Sequence, residues 1–383
     1  MRVAVVGVGW YGFKPVVPEL SFREMMFEAA VRAYEDAGVD PRRDVDAFIS
    51  CQEDFWEGVA ISNEFAPEPI GGALRPTITI TGDGLQCVGQ AYMMVRSGAF
   101  KVVVVEAHAK PSGIVTLQEV YEFSLDPVIR TLKIPNPLFQ AGLDAAAYMR
   151  RSGASREHLA MVAVKNKTRG LLNPRASHSA KVTLDEVLNS KPVVYPLTRY
   201  EIAGFTDVAI NVVLASEDVA RRFGDKHVWI DGVWWATEVG TGAIEWHEWG
   251  RMPSMKTAAL GAYKLAGIED PLRQTDFAEV EDRFSYMELL ALEELGLGGD
   301  GVHRLLEQGY YNPGGGYPVN PSGGSLSIGV TLEATGLSRL LEAILQLRGE
   351  AGGVQLKDVR RAIVASWRGP PTYTSAVAVV SKD

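Results

Sequence analysis

The sequence predicts an α/β protein made of two related halves, and three observations lead to this prediction. Short β-branched runs alternate with stretches of helical periodicity, which is typical of βαβ architecture with a mostly parallel sheet. A similar order of elements recurs in the second half of the chain, which indicates an internal duplication. The 383 residues also exceed the usual size of a single domain.

The first half begins with a β-branched run at residues 2–6, which indicates a strand because it is too short for a signal sequence. Ser21 and Glu24 form a capping-box pattern, and the pattern predicts a helix over 21–38. Residues 101–106 have a core of four valines, as in a strand that is buried on both faces. Further strands are predicted over 45–50 and 77–80.

Two stretches of the second half correspond to stretches of the first. Residues 288–297 resemble residues 28–39, because both are helical runs with an acidic pair shortly before a glycine. After a predicted helix over 336–349, residues 361–366 are the predicted counterpart of the strand at 101–106. Each half is therefore expected to contain a mostly parallel sheet.

The polar stretch at 108–200 is too long for a plain loop, and we interpret it as a lid or binding insertion. The predicted division is then an N-terminal half over 1–107 and 201–225, the insertion over 108–200, and a C-terminal half over 226–383. No flexible linker separates the halves, so they are expected to pack as one body.

Composition limits the partners. A formal net charge of −9 argues against nucleic acid or an anionic membrane as the main partner. No apolar run reaches the roughly 18 residues of a membrane span. Cys51 and Cys87 are too few for a disulfide framework or a cysteine-rich metal site, and the six histidines lack metal-site spacing. We therefore predict a cytoplasmic protein without a metal, with both cysteines as buried structural residues.

Several motifs, in order, resemble the thiolase superfamily, specifically the archaeal acetoacetyl-CoA thiolase and sterol-carrier-protein-X type branch. Residues 318–324 (PVNPSGG) are similar to the segment that precedes the family's catalytic histidine loop, and residues 347–352 after the next helix fit as well. The resemblance covers essentially the whole chain. It implies a thiolase fold, in which two duplicated halves form five α-β-α-β-α layers with a lid or loop insertion.

The family's catalytic residues are replaced at the matching positions. A working thiolase uses a cysteine nucleophile at a helix N-terminus, an activating histidine, a second histidine or asparagine near the oxyanion, and a late glycine-rich loop. The matching residues here are Thr81, Val330, Glu281 and a loop that begins at Ser366. Threonine without a base is a poor nucleophile. A carboxylate at the oxyanion would repel it unless the pKa of that carboxylate were strongly raised.

The resemblance also implies a ligand and partners. A CoA ester is the expected ligand, without a further cofactor, and His178, Ser322, Gly323 and Gly324 are expected on the CoA side of the site. The family resemblance implies a homodimer or higher oligomer. A small partner with an OB fold and a zinc ribbon is a further expectation from related archaeal thiolases.

Three functions stay open. The first is an acyl-CoA-binding or structural subunit that lacks ordinary Claisen condensation activity. The second is an enzyme of different chemistry, such as retro-aldol cleavage, in which Glu281 acts with Thr81 or a tyrosine. Thiolase-like aldolases have tyrosines at the two histidine positions, whereas the nearest tyrosines here are Tyr286 and Tyr317. The third is an ordinary acetyl-CoA C-acyltransferase.

Two further groups are weaker candidates. His108 lies at the carboxyl end of the strand at 101–106, where α/β sheets place ligand contacts, although a loop role is favoured. Five tryptophans are candidates for an acyl pocket, although core or interface packing is favoured: Trp229, Trp234, Trp235, Trp246 and Trp249.

Overall fold

The computed structural model describes residues 1–53, 64–114, 137–238, 247–368 and 373–383. The strands are β1 (Val3–Lys14), β2 (Ala47–Cys51), β3 (Thr77–Ile80), β4 (Val102–Ala109), β5 (Pro192–Val194), β6 (Leu197–Thr198), β7 (Asp207–Ser216), β8 (Val228–Thr237), β9 (Phe277–Val280), β10 (Arg361–Trp367) and β11 (Thr374–Ser381). The helices are α1 (Phe22–Ala37), α2 (Gly84–Arg96), α3 (Pro137–Ser152), α4 (Arg156–Gly170), α5 (Leu184–Leu188), α6 (Glu217–Ala220), α7 (Pro253–Ala266), α8 (Pro271–Gln274), α9 (Ser285–Glu294), α10 (Val302–Glu307), α11 (Gly324–Ile328) and α12 (Thr335–Arg348).

The main sheet is mixed, with the strand order β3-β2-β4-β7-β1-β8-β11-β10-β9. The pairs β2–β3, β2–β4 and β9–β10 are parallel. The pairs β1–β7, β1–β8, β4–β7, β8–β11 and β10–β11 are antiparallel. The prediction of a mostly parallel sheet is therefore wrong. A continuous apolar run indicates a strand that is buried on both faces. It does not indicate the direction of the strand, because an antiparallel strand between two layers is buried in the same way as a parallel one.

The sheet order repeats from its centre outwards, which confirms the internal duplication. Strands β1 and β8 are neighbours at the centre. Outwards from this pair, the order β1, β7, β4, β2 on the N-terminal side corresponds to β8, β11, β10, β9 on the C-terminal side. The predicted equivalence of β4 and β10 is thus confirmed. By the same correspondence, α1 on β1 and β7 is matched by α7 on β8 and β11. The likeness of residues 288–297 to residues 28–39 is therefore wrong as a structural equivalence, because a glycine after a helical run ends many unrelated helices.

Three apolar cores lie between the helical layers and the two halves of the sheet, and the second core covers both sides of the central helices. The first lies between α1 and the N-terminal strands, the second surrounds the central helices α2 and α12, and the third lies between the C-terminal strands and α7 with α9. Each large apolar side chain buried there contributes roughly 1.5–3 kcal/mol. The layers confirm the expected thiolase architecture. The residue limits given above for the halves and the insertion stay a prediction.

A local capping signal sets the start of α1. Ser21 Oγ accepts from Glu24 N at 3.3 Å, and Glu24 Oε2 accepts from Ser21 N at 2.8 Å, so the predicted capping box is confirmed.

Cys51 at the end of β2 and Cys87 in the first turn of α2 are buried, as expected, but they form a disulfide. Their Cα atoms are 6.2 Å apart, which suits a disulfide, although 36 residues separate them.

Within the ranges described above, no helix has the length and apolar character needed to cross a membrane.

Candidate functional site

The segment that matches the family's nucleophile lies where the two central helices begin. Asp83 is the N-cap of α2, and its carboxylate accepts from Leu85 N at 2.9 Å. The same carboxylate accepts from Gly336 N in the first turn of α12 at 2.8 Å and from the Ser366 hydroxyl at 2.6 Å. Helix N-termini attract anions. The protein's own carboxylate therefore occupies the anion-binding ends of both central helices.

Two predicted site residues, Thr81 and Ser366, differ in their relation to this carboxylate. Thr81 follows β3 at the edge of the sheet and is exposed to solvent. Ser366 is buried near the end of β10 and is bonded to Asp83. Burial raises the pKa of Asp83, whereas the hydrogen bonds from Ser366 and Leu85 oppose that shift. The structure thus places Ser366 in the anion network and Thr81 at the surface.

Glu281, the third predicted residue, is held directly after β9. Its backbone N–H donates to Ala365 O of β10 at 3.1 Å, which continues the parallel pairing of the two strands. The carboxylate is 1% exposed and accepts from Ser325 Oγ and from Arg283 N, both at 3.0 Å. The Arg283 Nε atom lies 3.8 Å from the same carboxylate. Burial raises the pKa of Glu281, and Arg283 partly offsets the shift.

Val330, the fourth predicted residue, forms part of the wall of an apolar cavity of about 110 Å³. Its backbone is fixed by hydrogen bonds to Gly204 O at 2.7 Å and from Thr206 N at 3.0 Å. Arg283 is the charged residue of the described lining, which otherwise consists of Pro137, Leu138, Ile202, Ala203, Phe205, Phe284 and Val330. Val330, the residue predicted at the position of the activating histidine, therefore offers an apolar surface and no proton-transfer group.

A second cavity, of about 340 Å³, adjoins the first and shares Leu138, Ile202 and Ala203 with it. Its described lining also includes Lys167, His178, Arg199 and Tyr200, and no carboxylate. The lining is therefore basic, in contrast to the apolar cavity beside it.

Two of the basic residues are tied to the backbone. The Lys167 ammonium donates to Leu326 O at 2.8 Å and to His178 O at 3.3 Å, and burial lowers its pKa to about 8. His178 Nε2 lies 2.9 Å from Phe205 O and 3.0 Å from Thr206 Oγ1. Burial lowers the pKa of His178, which keeps its imidazole neutral at pH 7.

The remaining predicted residues lie at the start of α11. Ser322 donates its hydroxyl to Glu279 at 2.7 Å. Gly323 has φ +98° and its backbone approaches α4 so closely that a Cβ would lie 2.8 Å from the Gly170 Cα. Gly324 packs against the Asp282 carboxylate. All three are buried and none lines either cavity described above, so their contact with CoA stays a prediction.

Asp282 and its amide partner Asn166 were missed by the sequence reasoning. Asn166 Nδ2 donates to Asp282 at 2.6 Å and to Glu288 at 2.7 Å, and Ser325 N donates to Asp282 as well. Burial first and Glu288 second raise the pKa of Asp282 to about 8. No local sequence signal pairs residues 166 and 282. Asp83, in contrast, has the capping-box partner Gln86 three residues on, and that pattern identifies it from sequence.

The weaker candidates are mostly internal. His108 is 1% exposed, lies 2.9 Å from Glu106 and stacks on Phe22. Tyr286 donates to Asp144 at 3.3 Å, and the Tyr317 hydroxyl lies 2.6 Å from Thr275 Oγ1. Of the tryptophans, Trp229 is buried and Trp234 is 46% exposed, whereas Trp235 and Trp249 are partly buried and Trp246 lies outside the described residues.

The last residue of β10 and the residue after it are held by contacts with their neighbours. Trp367 is 1% exposed and its ring centroid lies 6.1 Å from that of Tyr373. Arg368 forms an ion pair with Glu53 at 2.6 Å. Residues 369–372, where further loop differences were expected, lie outside the described residues. In the part of the chain that the structure describes, no group of three or more His, Cys, Asp or Glu side chains is placed to hold a metal ion.

A duplicated five-layer fold with its site at the starts of two central helices defines a thiolase-like protein of acyl-CoA chemistry. Residues 241–382 match the family described as thiolase C-terminal domain-like. The chain is 33% identical over 396 residues to the acetyl-CoA acetyltransferase of Methanothermobacter thermautotrophicus, with 99% of each protein covered. It is 29% identical to sterol carrier protein 2 of Gallus gallus, over 94% of this chain and 69% of that protein.

A solved structure of the Ltp2–ChsH2(DUF35) aldolase is also similar. It superposes with a TM-score of 0.85 at 25% sequence identity and covers 100% of this chain and 98% of that chain. Together with the full-length match to the archaeal acetyltransferase, this establishes the family. The chain belongs to the thiolase superfamily, as its motifs predicted.

Proposed function

We propose that this protein binds a CoA ester and does not carry out cysteine-dependent Claisen condensation. The observation that carries the proposal is the Asp83 carboxylate, which accepts N–H groups from the first turns of both α2 and α12. A thiolate or oxyanion formed there would meet a carboxylate already bonded to the donors it needs. The carboxylate at Glu281 and the apolar side chain at Val330 support the same conclusion.

The two adjoining cavities support CoA-ester binding. The ligand combines anionic phosphates with an apolar thioester arm, and the cavities combine a basic lining with an apolar one. Lys167 and Arg199 provide two cations in the larger cavity without a carboxylate in its described lining. If the acyl group lies in the apolar cavity against Val330 and Phe284, the phosphates lie towards the basic cavity that contains Arg199.

A paired experiment tests both parts of the proposal. Thiolysis of acetoacetyl-CoA by CoA is expected to stay at the rate without protein, with a cysteine-bearing thiolase as the positive control. Titration calorimetry with acetyl-CoA and hexanoyl-CoA is expected to show saturable binding. Protein-dependent thiolysis would overturn the first part, and an absence of heat with every CoA ester would overturn the second.

Substitutions locate the binding. Arg199→Gln is expected to weaken hexanoyl-CoA binding at least fivefold, because it removes a cation from the basic cavity. Val330→Trp is expected to abolish binding of the longer ester by filling the apolar cavity. Arg222→Gln is the matched control, since Arg222 is equally exposed to solvent and lines neither cavity. Equal affinities of the Arg199 and Arg222 variants would place the ligand elsewhere.

Retro-aldol cleavage is a second candidate, favoured by the similarity to the Ltp2–ChsH2 aldolase. A base takes the hydroxyl proton of a β-hydroxyacyl-CoA, the Cα–Cβ bond breaks to release an aldehyde or ketone, and the resulting enolate takes up a proton. Glu281 has the raised pKa of a general base, although its carboxylate is bonded to Ser325 and Arg283.

The aldolase candidate is tested with Glu281→Gln. Carbonyl release from a β-hydroxyacyl-CoA should be lost in this variant and kept in Glu294→Gln, whose carboxylate also has a pKa raised by burial but matches none of the predicted catalytic positions. No carbonyl release by the unaltered protein would exclude this candidate, as would full activity of the Glu281 variant.

We also propose a homodimer that forms across β3. This strand lies at the sheet edge with β2 as its neighbour, and Ile78 is 40% exposed on it. Met93 of α2, at 44% exposure, adds apolar surface. Ile78→Arg is expected to give a monomer by light scattering, whereas Val16→Arg, at a 54% exposed residue after β1, should not change the mass. The ChsH2 component of the solved aldolase supports a second, unlike partner.

A further inference from the structure

A groove of about 700 Å³ runs along α4, apart from the proposed CoA-ester site. It shares no lining residue with the two cavities beside Val330. Met161, Val164, Thr168 and Leu172 follow one face of the helix and the turn after it. From Met161 to the helix end at Gly170, a rise of 1.5 Å per residue makes the helical part of this face about 14 Å long.

The wall of the groove is mainly apolar. Leu184 of α5 and Leu306 of α10 face the helix from the other sides. Ligand sites in proteins typically have volumes of about 300–1,000 Å³ and an apolar lining with a few polar groups. The groove has this character, and the remaining question is which charge its ligand carries.

Among the charged residues of the wall, Arg169 is a cation that forms no ion pair within the described residues. Lys165 is paired with Glu288 at 3.1 Å, and the Glu307 carboxylate accepts a hydrogen bond from His158 Nε2 at 2.8 Å, while Ser155 N donates to Nδ1 of the same ring. Arg169 instead donates to two backbone carbonyls, Nε to Pro321 at 3.1 Å and Nη2 to Val354 at 2.7 Å.

No carboxylate of the described chain forms an ion pair with Arg169. A guanidinium has five N–H donors, so donors are left over after these two bonds. A half-buried arginine in an apolar wall is stabilised most by a carboxylate that brings its own apolar body.

We propose that the α4 groove binds an aliphatic monocarboxylate, with the carboxylate on Arg169 and the chain along Val164, Met161 and Leu306. The site is independent of the proposed function, because it lies outside both cavities assigned to the CoA ester. The apolar lining favours an unbranched chain over a sugar or nucleotide, and the remaining N–H donors of Arg169 favour a carboxylate over a neutral head group.

Decanoate and decan-1-ol, titrated below their aggregation limits, separate charge from apolarity. Decanoate is expected to bind with one-to-one stoichiometry and at least tenfold more tightly than decan-1-ol. Arg169→Gln should remove that difference. Arg156→Gln is the matched control, since Arg156 lies on the same helix, donates to the Leu188 carbonyl at 3.2 Å and does not line the groove.

A second pair of variants decides the matter if Arg169→Gln does not fold. Thr168 is exposed on the groove wall, so Thr168→Asp adds a negative charge there and Thr168→Asn does not. Decanoate should bind at least fivefold more weakly to the aspartate variant than to the asparagine variant, with decan-1-ol unchanged. Equal affinities for the two ligands, no effect of the added charge, or the absence of saturable binding would each overturn the proposal.

Discussion

Asp83 and Ser366, 283 residues apart, are joined by a hydrogen bond of 2.6 Å at the meeting point of the two duplicated halves. Asp83 belongs to the N-terminal half and Ser366 to the C-terminal half, and Gly336 N donates to the other carboxylate oxygen. The starts of the two central helices therefore hold a buried structural carboxylate. This contact is a link between the halves as well as a change in chemistry.

Removal of the Asp83 carboxylate is expected to destabilise the protein. Asp83→Ala deletes the cap of α2, which is worth about 0.5–2 kcal/mol, and leaves the buried donors of Gly336 and Ser366 unpaired. We expect a loss of about 2–4 kcal/mol in the free energy of unfolding, measured by urea denaturation. Ser21→Ala, which removes the exposed cap of α1, is the control and should cost about 1 kcal/mol. A cost at Asp83 no larger than this would contradict the structural role.

A cysteine placed at residue 81 is expected to have an ordinary pKa. Because Asp83 already occupies the starts of α2 and α12, the thiol of Thr81→Cys should titrate near or above about 8.5, as a free cysteine does. The pH dependence of iodoacetamide alkylation measures it. Thr81→Cys with Asp83→Ser should give a lower pKa, since the helix N-termini then lose their carboxylate. A reactive thiol in the single variant would contradict this account.

Stability should fall as the pH rises from about 4 to about 8. The pKa of Asp282 is raised from 3.8 to about 8, so the folded protein holds a proton in this range that the unfolded chain releases. The stabilisation is complete below the unfolded pKa and is lost as the pH passes the folded one. One such proton gives a slope of up to about 1.4 kcal/mol per pH unit. Urea denaturation of Asp282→Asn across this range should show a shallower slope than the unaltered protein, and identical slopes would exclude the assignment.

Binding of a CoA ester should weaken between pH 7 and pH 9. Lys167 has a pKa lowered to about 8, so the basic cavity loses a positive charge over this range. Calorimetric titrations at several pH values test this, with Lys167→Met expected to bind more weakly at pH 7 and to show a flatter pH profile. Arg199→Gln should keep the pH dependence, because Lys167 remains. A pH-independent affinity of the unaltered protein would contradict a role for Lys167.

Reduction of the Cys51–Cys87 bridge should destabilise the fold without unfolding it at room temperature. A cross-link that closes a loop of this length contributes about 2–4 kcal/mol, chiefly by restricting the unfolded chain. The unfolding free energy should therefore drop by that amount in the presence of reductant, and Cys87→Ser should be insensitive to reductant. Alkylation of both thiols in unreduced, denatured protein would show that the bridge is absent.

The sequence by itself determined the family fold, the first capping box and the equivalence of β4 and β10, because caps and long valine runs act locally. It also predicted that Thr81, Glu281, Val330 and Ser366 stand at the family's catalytic positions, because the PVNPSGG segment and the helix patterns indicate the register. Only the tertiary structure decided the strand directions, the Cys51–Cys87 pairing, the Asp83–Ser366 contact and the two cavities. Each of these depends on groups far apart in the chain, and no local pattern specifies which of them meet when the layers pack.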